Sequence, residues 1–141
     1  HRIRFQQELA RKTRGLPTSI DKRLDLFCEK LGTLLDLKDE KPALLHGDLW
    51  SGNYFASHDQ IPYIFDPAVY FGLRETDLAM TEMFGRLPQE FYSTYQEVFP
   101  TQPGYSERKD IYNLYHLLNH YNLFGGSYLE QADQTVRSFL D

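Results

Sequence analysis

Leu44-Leu45-His46-Gly47-Asp48-Leu49-Trp50-Ser51-Gly52-Asn53 is the stretch around which the rest of the chain arranges itself. Two leucines lead into His46 as an apolar strand leads into a loop. The loop then carries a carboxylate at Asp48 and a carboxamide at Asn53. Two glycines lie among its polar and aromatic residues, and glycine allows backbone conformations that suit a loop folded tightly around a ligand. Thirteen residues after Asn53 a second apolar run, Ile61-Pro62-Tyr63-Ile64-Phe65, delivers Asp66.

The spacing His-x-Asp-x-x-x-x-Asn is the catalytic-loop pattern of phosphoryl-transfer kinases, in which the Asp accepts the acceptor hydroxyl's proton and the Asn holds magnesium. Such a reaction needs an in-line hydroxyl, a carboxylate to orient and deprotonate it, and a metal to neutralise the phosphate oxygens. Asp48 fits the base. Asn53 supplies a neutral oxygen for a hard cation, and Asp66, at the end of a strand, supplies the anionic one. Magnesium takes few protein oxygens and completes its shell with phosphates and waters, so two ligands suffice. The competing reading is that Asp48 and Asn53 only stabilise a turn, as Asx residues often do.

Around this loop the sequence reads as helical scaffold. Residues 1–13 suit a helix with few apolar positions (Ile3, Phe5, Leu9), ended by Gly15-Leu16-Pro17. Thr18 and Asp21 resemble a capping box. From Ile20 the apolar residues Leu24, Phe27, Leu31 and Leu34 or Leu35 step by three and four, which predicts an amphipathic helix of about 17 residues. Lys38-Asp39-Glu40-Lys41-Pro42 is a charged turn, and Ala43 to Leu45 a short buried strand. Tyr54-Phe55-Ala56 and Ile61 to Phe65 read as strands joined at Ser57-His58-Asp59-Gln60. The chain then reads as irregular through Gly72. Helices follow over Glu75 to Phe84, from Pro88 with Phe91, Tyr95 and Val98, from Ser106-Glu107, and beyond Gly125-Gly126. The expected fold is mainly α with a small β element (α+β), and residues 1–141 are read as a single domain.

Composition narrows the function classes. Apolar and charged fractions of 41% and 25% belong to an ordinary globular domain. A net charge of −5 argues against a nucleic-acid binder. The charge is uneven, with seven Lys/Arg against two acids in residues 1–23. Ile3, Phe5, Leu9 and Leu16 interrupt that basic start, which fits a solvated helix face better than a polyanion site. Cys28 is the only cysteine, so no internal disulfide forms and a reducing, cytoplasmic setting is the default. Cys28 itself reads as a packed thiol. No apolar run approaches the roughly 18–20 residues of a membrane span, and the N-terminus has no signal-peptide pattern. Lacking an initiator Met, the chain reads as cut from a longer one.

With Ile64-Phe65-Asp66-Pro67-Ala68, Tyr70, Gly72, Arg74-Glu75, Asp77-Leu78-Ala79 and Met83-Phe84-Gly85 added to the loop, the sequence resembles the fructosamine kinase (ketosamine 3-kinase) family. That family belongs to the aminoglycoside phosphotransferase and choline kinase group. Leu114-Tyr115-His116-Leu117-Leu118-Asn119-His120 through Gly125 resembles its C-terminal helix. Trp50 within the loop, and Asp66-Pro67-Ala68 where protein kinases have Asp-Phe-Gly, discriminate best. The resemblance implies the C-terminal lobe of a protein-kinase-like fold. It implies ATP- and Mg-dependent phosphorylation of the 3-hydroxyl of a ketosamine on a small amine or protein lysine, a step in deglycation. Asp48 would be the base and Asn53 and Asp66 the ATP·Mg ligands, with His46 and Asp77 supporting the loop.

Three further residues are candidates for substrate contact. Trp50 either stacks on the sugar or its amine, or packs under the loop. Arg74 and Glu75 read substrate hydroxyls, or Arg74 pairs with a nearby acid. His116 and His120 share the i, i+4 spacing of a metal pair but lack the Glu of the zinc-protease motif and a third ligand. His58 and Asp59 need no function beyond the turn. No Gly-rich phosphate loop or strand lysine precedes His46, so the nucleotide-covering N-lobe of the parent chain is expected as the missing partner, and these residues alone are expected to be inactive. Two other readings stay open, an aminoglycoside- or choline-type small-molecule kinase and a non-catalytic kinase-like binding lobe.

Overall fold

Helices form where apolar residues recur at three and four, and strands are confined to the segments flanking the polar loop. The computed structural model describes residues 1–35 and 40–140. Its helices are α1 (Arg2–Thr13), α2 (Thr18–Leu34), α3 (Glu75–Met83), α4 (Gln89–Val98), α5 (Tyr105–Phe124) and α6 (Tyr128–Leu140). Four three-residue strands are β1 (Ala43–Leu45), β2 (Tyr54–Ala56), β3 (Pro62–Ile64) and β4 (Tyr70–Gly72). The chain divides into two compact units, one of residues 1–36 and 113–141 and the other of residues 37–112.

The first unit is helical. Leu24 and Phe27 on α2, Leu114 and Leu118 on α5, and Val136 on α6 are buried completely. The Phe27 and Phe139 rings meet at 5.9 Å. Arg23 forks onto Asp133, with Nε to Oδ1 at 2.7 Å and Nη2 to Oδ2 at 2.8 Å. Two local expectations are corrected here. Pro17 precedes α2 without a side-chain cap, and Asp21 instead accepts from Gln7 Nε2 at 2.7 Å and Arg11 Nε at 2.8 Å. On α1 the buried residues are Gln6, Gln7 and Ala10, whereas Phe5 is 63% exposed. Gln7 can be buried because its amide finds Asp21 and Asp25.

The second unit carries the strands. β1 pairs antiparallel with β4 (Leu45 opposite Tyr70), and β2 with β3 (Tyr54 opposite Ile64). The segment expected to be irregular through Gly72 thus contains β4, since a three-residue strand shows no period and its partner lies far away in sequence. Leu45, Leu49, Leu78, Ala79, Met80, Leu87 and Ile111 are the apolar core. α4 buries none of its residues completely, and Val98, expected on its apolar face, is exposed. Lys38 and Asp39 of the expected charged turn lie outside the described residues. No described helix is long and apolar enough to cross a membrane.

Candidate active site

The loop after β1 is fixed by main-chain bonds. Asp77, in the first turn of α3, accepts the His46 N–H on Oδ2 at 2.7 Å and the Gly47 N–H on Oδ1 at 2.9 Å. One carboxylate thereby satisfies two donors that no strand partner reaches, and its own charge sits at a helix N-terminus where the dipole favours it. The Ala68 N–H donates to the His46 carbonyl at 2.8 Å. Gly47 has φ +81°, and a Cβ there would run into the Ala68 carbonyl oxygen, so only glycine fits between these segments.

His46 ties the loop to the Asp66 segment. Its Nδ1 accepts the Asp48 N–H at 3.3 Å, which leaves the ring proton on Nε2 to be donated to the Phe65 carbonyl at 2.9 Å. The Phe65 N–H donates to the Asn53 carbonyl at 3.1 Å. Phe65 is therefore bonded on one side to residue 53 and on the other to residue 46, and Asp66 is the next residue along. Asp66 has φ +55°, a left-handed conformation that Asp tolerates better than most side chains.

Asn53 is buried at the end of the single helical turn Ser51–Asn53. Its Nδ2 donates to the Asp48 carbonyl at 2.9 Å and to Asp48 Oδ2 at 3.0 Å. With the amide nitrogen committed to Asp48, Oδ1 is the atom that Asn53 has for a cation. The same bond holds the half-buried Asp48 carboxylate in one orientation. Asn53 Oδ1 and the Asp66 carboxylate, the two expected ligands, are both hard oxygens, a donor type that suits magnesium and not a thiophilic metal. Among the described residues no group of three or more His, Cys, Asp or Glu forms a metal cluster. His120 Nδ1 bonds the His116 carbonyl at 2.7 Å. His116 is buried, and its pKa is pushed down to about 4 by that burial first, then by Arg2 and His120.

Trp50 is 37% exposed and meets the Phe84 ring edge-on, with centroids 6.4 Å apart and planes at 82°. Its indole lies over Gly52, where a Cβ would strike the ring. Trp50 thus packs against Phe84 while keeping accessible surface.

Arg74 and Glu75 are placed otherwise than as readers of substrate hydroxyls. Arg74 is buried, with Nε to Glu40 at 2.7 Å, Nη1 to the Tyr95 hydroxyl and the Phe99 carbonyl, and Nη2 to the Pro100 carbonyl at 2.6 Å. Its guanidinium also stacks 3.9 Å over the Phe99 ring. Glu75 is completely buried and accepts from Arg108 Nη2 at 2.8 Å, the Tyr112 hydroxyl at 3.0 Å and the Gln102 N–H at 3.1 Å. Burial, and then the Glu75 charge, hold the Tyr112 hydroxyl well above the usual phenol range. The correction has a plain cause. A buried charge is tolerable only when its hydrogen bonds are met inside the protein, and here they are met by partners that brace the start of α3. No spacing pattern points to Arg108, Tyr112 or Glu40, which come from distant segments.

A groove of about 270 Å³ opens beside His46, lined by Leu44, Leu45, Ile64, Pro67 and Val69. A larger one of about 710 Å³ lies between the β2–β3 hairpin and α4 and includes none of Asp48, Asn53 and Asp66. The smaller groove is likewise not lined by Asp48, Asn53 or Asp66, and touches the loop only at His46.

Comparison with known proteins supplies the context for this site. Over 139 residues the chain is 51% identical to a Vibrio parahaemolyticus protein named a probable ketoamine kinase, covering 99% of this chain and 46% of that one. It is 47% identical over 141 residues to a Synechocystis protein of the same name, and 44% identical over 140 residues to a protein-ribulosamine 3-kinase, chloroplastic, of Oryza sativa. The chain thus spans about half the length of the curated relatives it matches. A crystal structure from Thermobifida fusca assigned as a fructosamine-3-kinase superposes with a TM-score of 0.89 at 33% identity, covering 99% of this chain and 48% of that one. The mainly helical architecture with small sheets is therefore the C-terminal lobe of a protein-kinase-like fold. The fructosamine kinase family model matches residues 1–141, and the chain belongs to that family.

Proposed function

We propose that residues 1–141 are the C-terminal, catalytic-loop-bearing lobe of a two-lobed kinase whose N-lobe lies outside this sequence. Its reaction is the ATP- and Mg-dependent phosphorylation of the 3-hydroxyl of a ketosamine, on a small amine or a protein lysine, in a cytoplasmic deglycation pathway. The observation that carries this reading is the double tie through Phe65, which sets Asp66 beside the loop that holds Asp48 and Asn53. The names of the relatives support the acceptor class, since they specify ketoamines and the 3-position of protein-bound ribulosamine.

Magnesium-bound ATP supplies the phosphoryl group and the positive charge that its transfer requires. Asp48, oriented by Asn53, accepts the proton of the attacking sugar hydroxyl and aims its oxygen. Asn53 Oδ1 and the Asp66 carboxylate would hold the cation. His46 keeps Asp48 and Phe65 in register through its two ring nitrogens, and Asp77 fixes the loop's entry. Trp50 offers its exposed indole face to the sugar or its amine substituent.

The test is to assay the full-length protein on fructosyl-lysine, ribulosyl-lysine, an aminoglycoside and choline. The ketosamines are the expected acceptors, and preference for an aminoglycoside or choline would overturn the assignment. Asp48→Asn should lower kcat about 10²–10⁴-fold with nucleotide binding nearly intact. Residues 1–141 alone should show no turnover, and tight ATP·Mg binding to them would refute the two-lobe requirement.

A further inference from the structure

The loop is attached to α3 at two places, and only one of them involves Asp77. Beyond the other end of the helix, the Phe84 carbonyl accepts the Ser51 hydroxyl at 2.8 Å. Asp77 and Phe84 are seven residues apart, roughly 10 Å along a helix axis. Asp48 lies between the two attachments, and Asn53 lies just past the second. Ser51 also opens the helical turn that ends at Asn53, closed by the Asn53 N–H donating to the Trp50 carbonyl at 2.9 Å.

The contact is built on both sides. Gly85 has φ +88°, and a Cβ there would come within 3.1 Å of Ser51 Oγ, so the absent side chain leaves room for the hydroxyl. The Phe84 ring, on the residue whose carbonyl receives the bond, is the one that meets Trp50 edge-on. Ser51 is exposed and contributes nothing to the core, so its bond has a local effect. It fixes the half of the loop that Asp77 does not reach.

We infer that Ser51 is a positioning residue: by clamping the loop to the Phe84 carbonyl it sets where the hydrogen-bonded Asp48–Asn53 pair sits relative to α3, and holds Trp50 against Phe84. The consequence for turnover rests on the proposed kinase function. The clamp itself rests on the geometry.

Two measurements test it. In the full-length protein, Ser51→Ala should raise the Mg²⁺ concentration for half-maximal turnover about fivefold, the order of effect of one hydrogen bond, and Ser51→Thr should return it to within about twofold of wild type. A lower kcat with that concentration unmoved would mean a merely structural role and would overturn the inference. Trp50 is the only tryptophan of this chain, so its fluorescence reports on the loop without any assay of catalysis. In the full-length protein, with any tryptophan outside residues 1–141 replaced by phenylalanine, Ser51→Ala should raise the acrylamide quenching constant about twofold, with Ser51→Thr behaving as wild type. Unchanged quenching would overturn the clamp. A wild-type protein that phosphorylates no ketosamine would overturn the function and leave quenching to decide the clamp.

Discussion

The two units of this chain are held together in different ways. The helical unit has a conventional apolar interior, with Leu24, Phe27, Leu114, Leu118 and Val136 sealed from solvent, and ion pairs such as Arg23 to Asp133 and Arg11 to Asp21 between its helices. The loop-bearing unit has four strands of three residues each, and leaves Leu44, Ile64, Val69 and Phe71 more than half exposed. Beside its apolar core it relies on buried or half-buried polar groups aimed at particular backbone atoms: Asp77 on residues 46 and 47, His46 on residue 65, and Arg74 on residues 99 and 100. Apolar packing is roughly proportional to area and indifferent to direction, whereas a hydrogen bond specifies where an atom sits. The unit that carries Asp48, Asn53 and Asp66, the proposed site, is the one built on direction.

A pair of substitutions puts this contrast at most risk. Phe27→Ala and Glu75→Ala should each cost about 3–5 kcal/mol, the first by leaving a cavity and the second by stranding Arg108. Urea unfolding would measure both. Turnover per folded molecule of the full-length protein should fall only for Glu75→Ala, because only that change unseats the start of α3. Equal losses of turnover would end the distinction.

A smaller effect sharpens the account of the helical unit. His116 is kept neutral by burial, with a folded pKa of about 4 against an ordinary 6.5. The unfolded chain takes up its proton first, so the stability that His116 supports is complete above pH 6.5 and is lost as pH falls toward 4. The loss is about 3 kcal/mol by linkage. Melting temperatures across this range should show the slope, and His116→Gln should flatten it.

The smallest effect belongs to the loop. Gly47→Ala should destabilise by about 1–3 kcal/mol, since it combines a left-handed backbone with a collision at the Ala68 carbonyl. Differential scanning fluorimetry would read the shift, and a neutral result would mean that the Ala68 segment yields easily.

Much of this molecule was readable before any coordinates. The 3.6-residue period marks α2 over Thr18–Leu34, and Gly125-Gly126 marks the break before α6. The loop and Asp66 stand out in the sequence because kinase chemistry needs particular side chains at particular spacings, and the structure adds the main-chain ties of Phe65 to residues 46 and 53. Three things were not legible, each for its own reason. β4 is too short to show a period. The capping box at Thr18 and Asp21 gives way because Gln7 and Arg11, ten or more residues upstream, take the Asp21 carboxylate. Arg74 and Glu75 look like surface charges beside a site because a single sequence does not display Glu40, Arg108 and Tyr112 converging on them.

Phe65 carries a last implication. It joins the two halves of the site with its amide and its carbonyl, and its ring has no part in either bond. A link written in main-chain atoms is blind to mutation of the side chain it passes through. The identity of residue 65 can drift, and the excursion between residues 54 and 64 can lengthen or shorten, while the two ends stay in register. Searches for distant versions of this site should therefore weigh the order and pairing of its segments above the letters that join them.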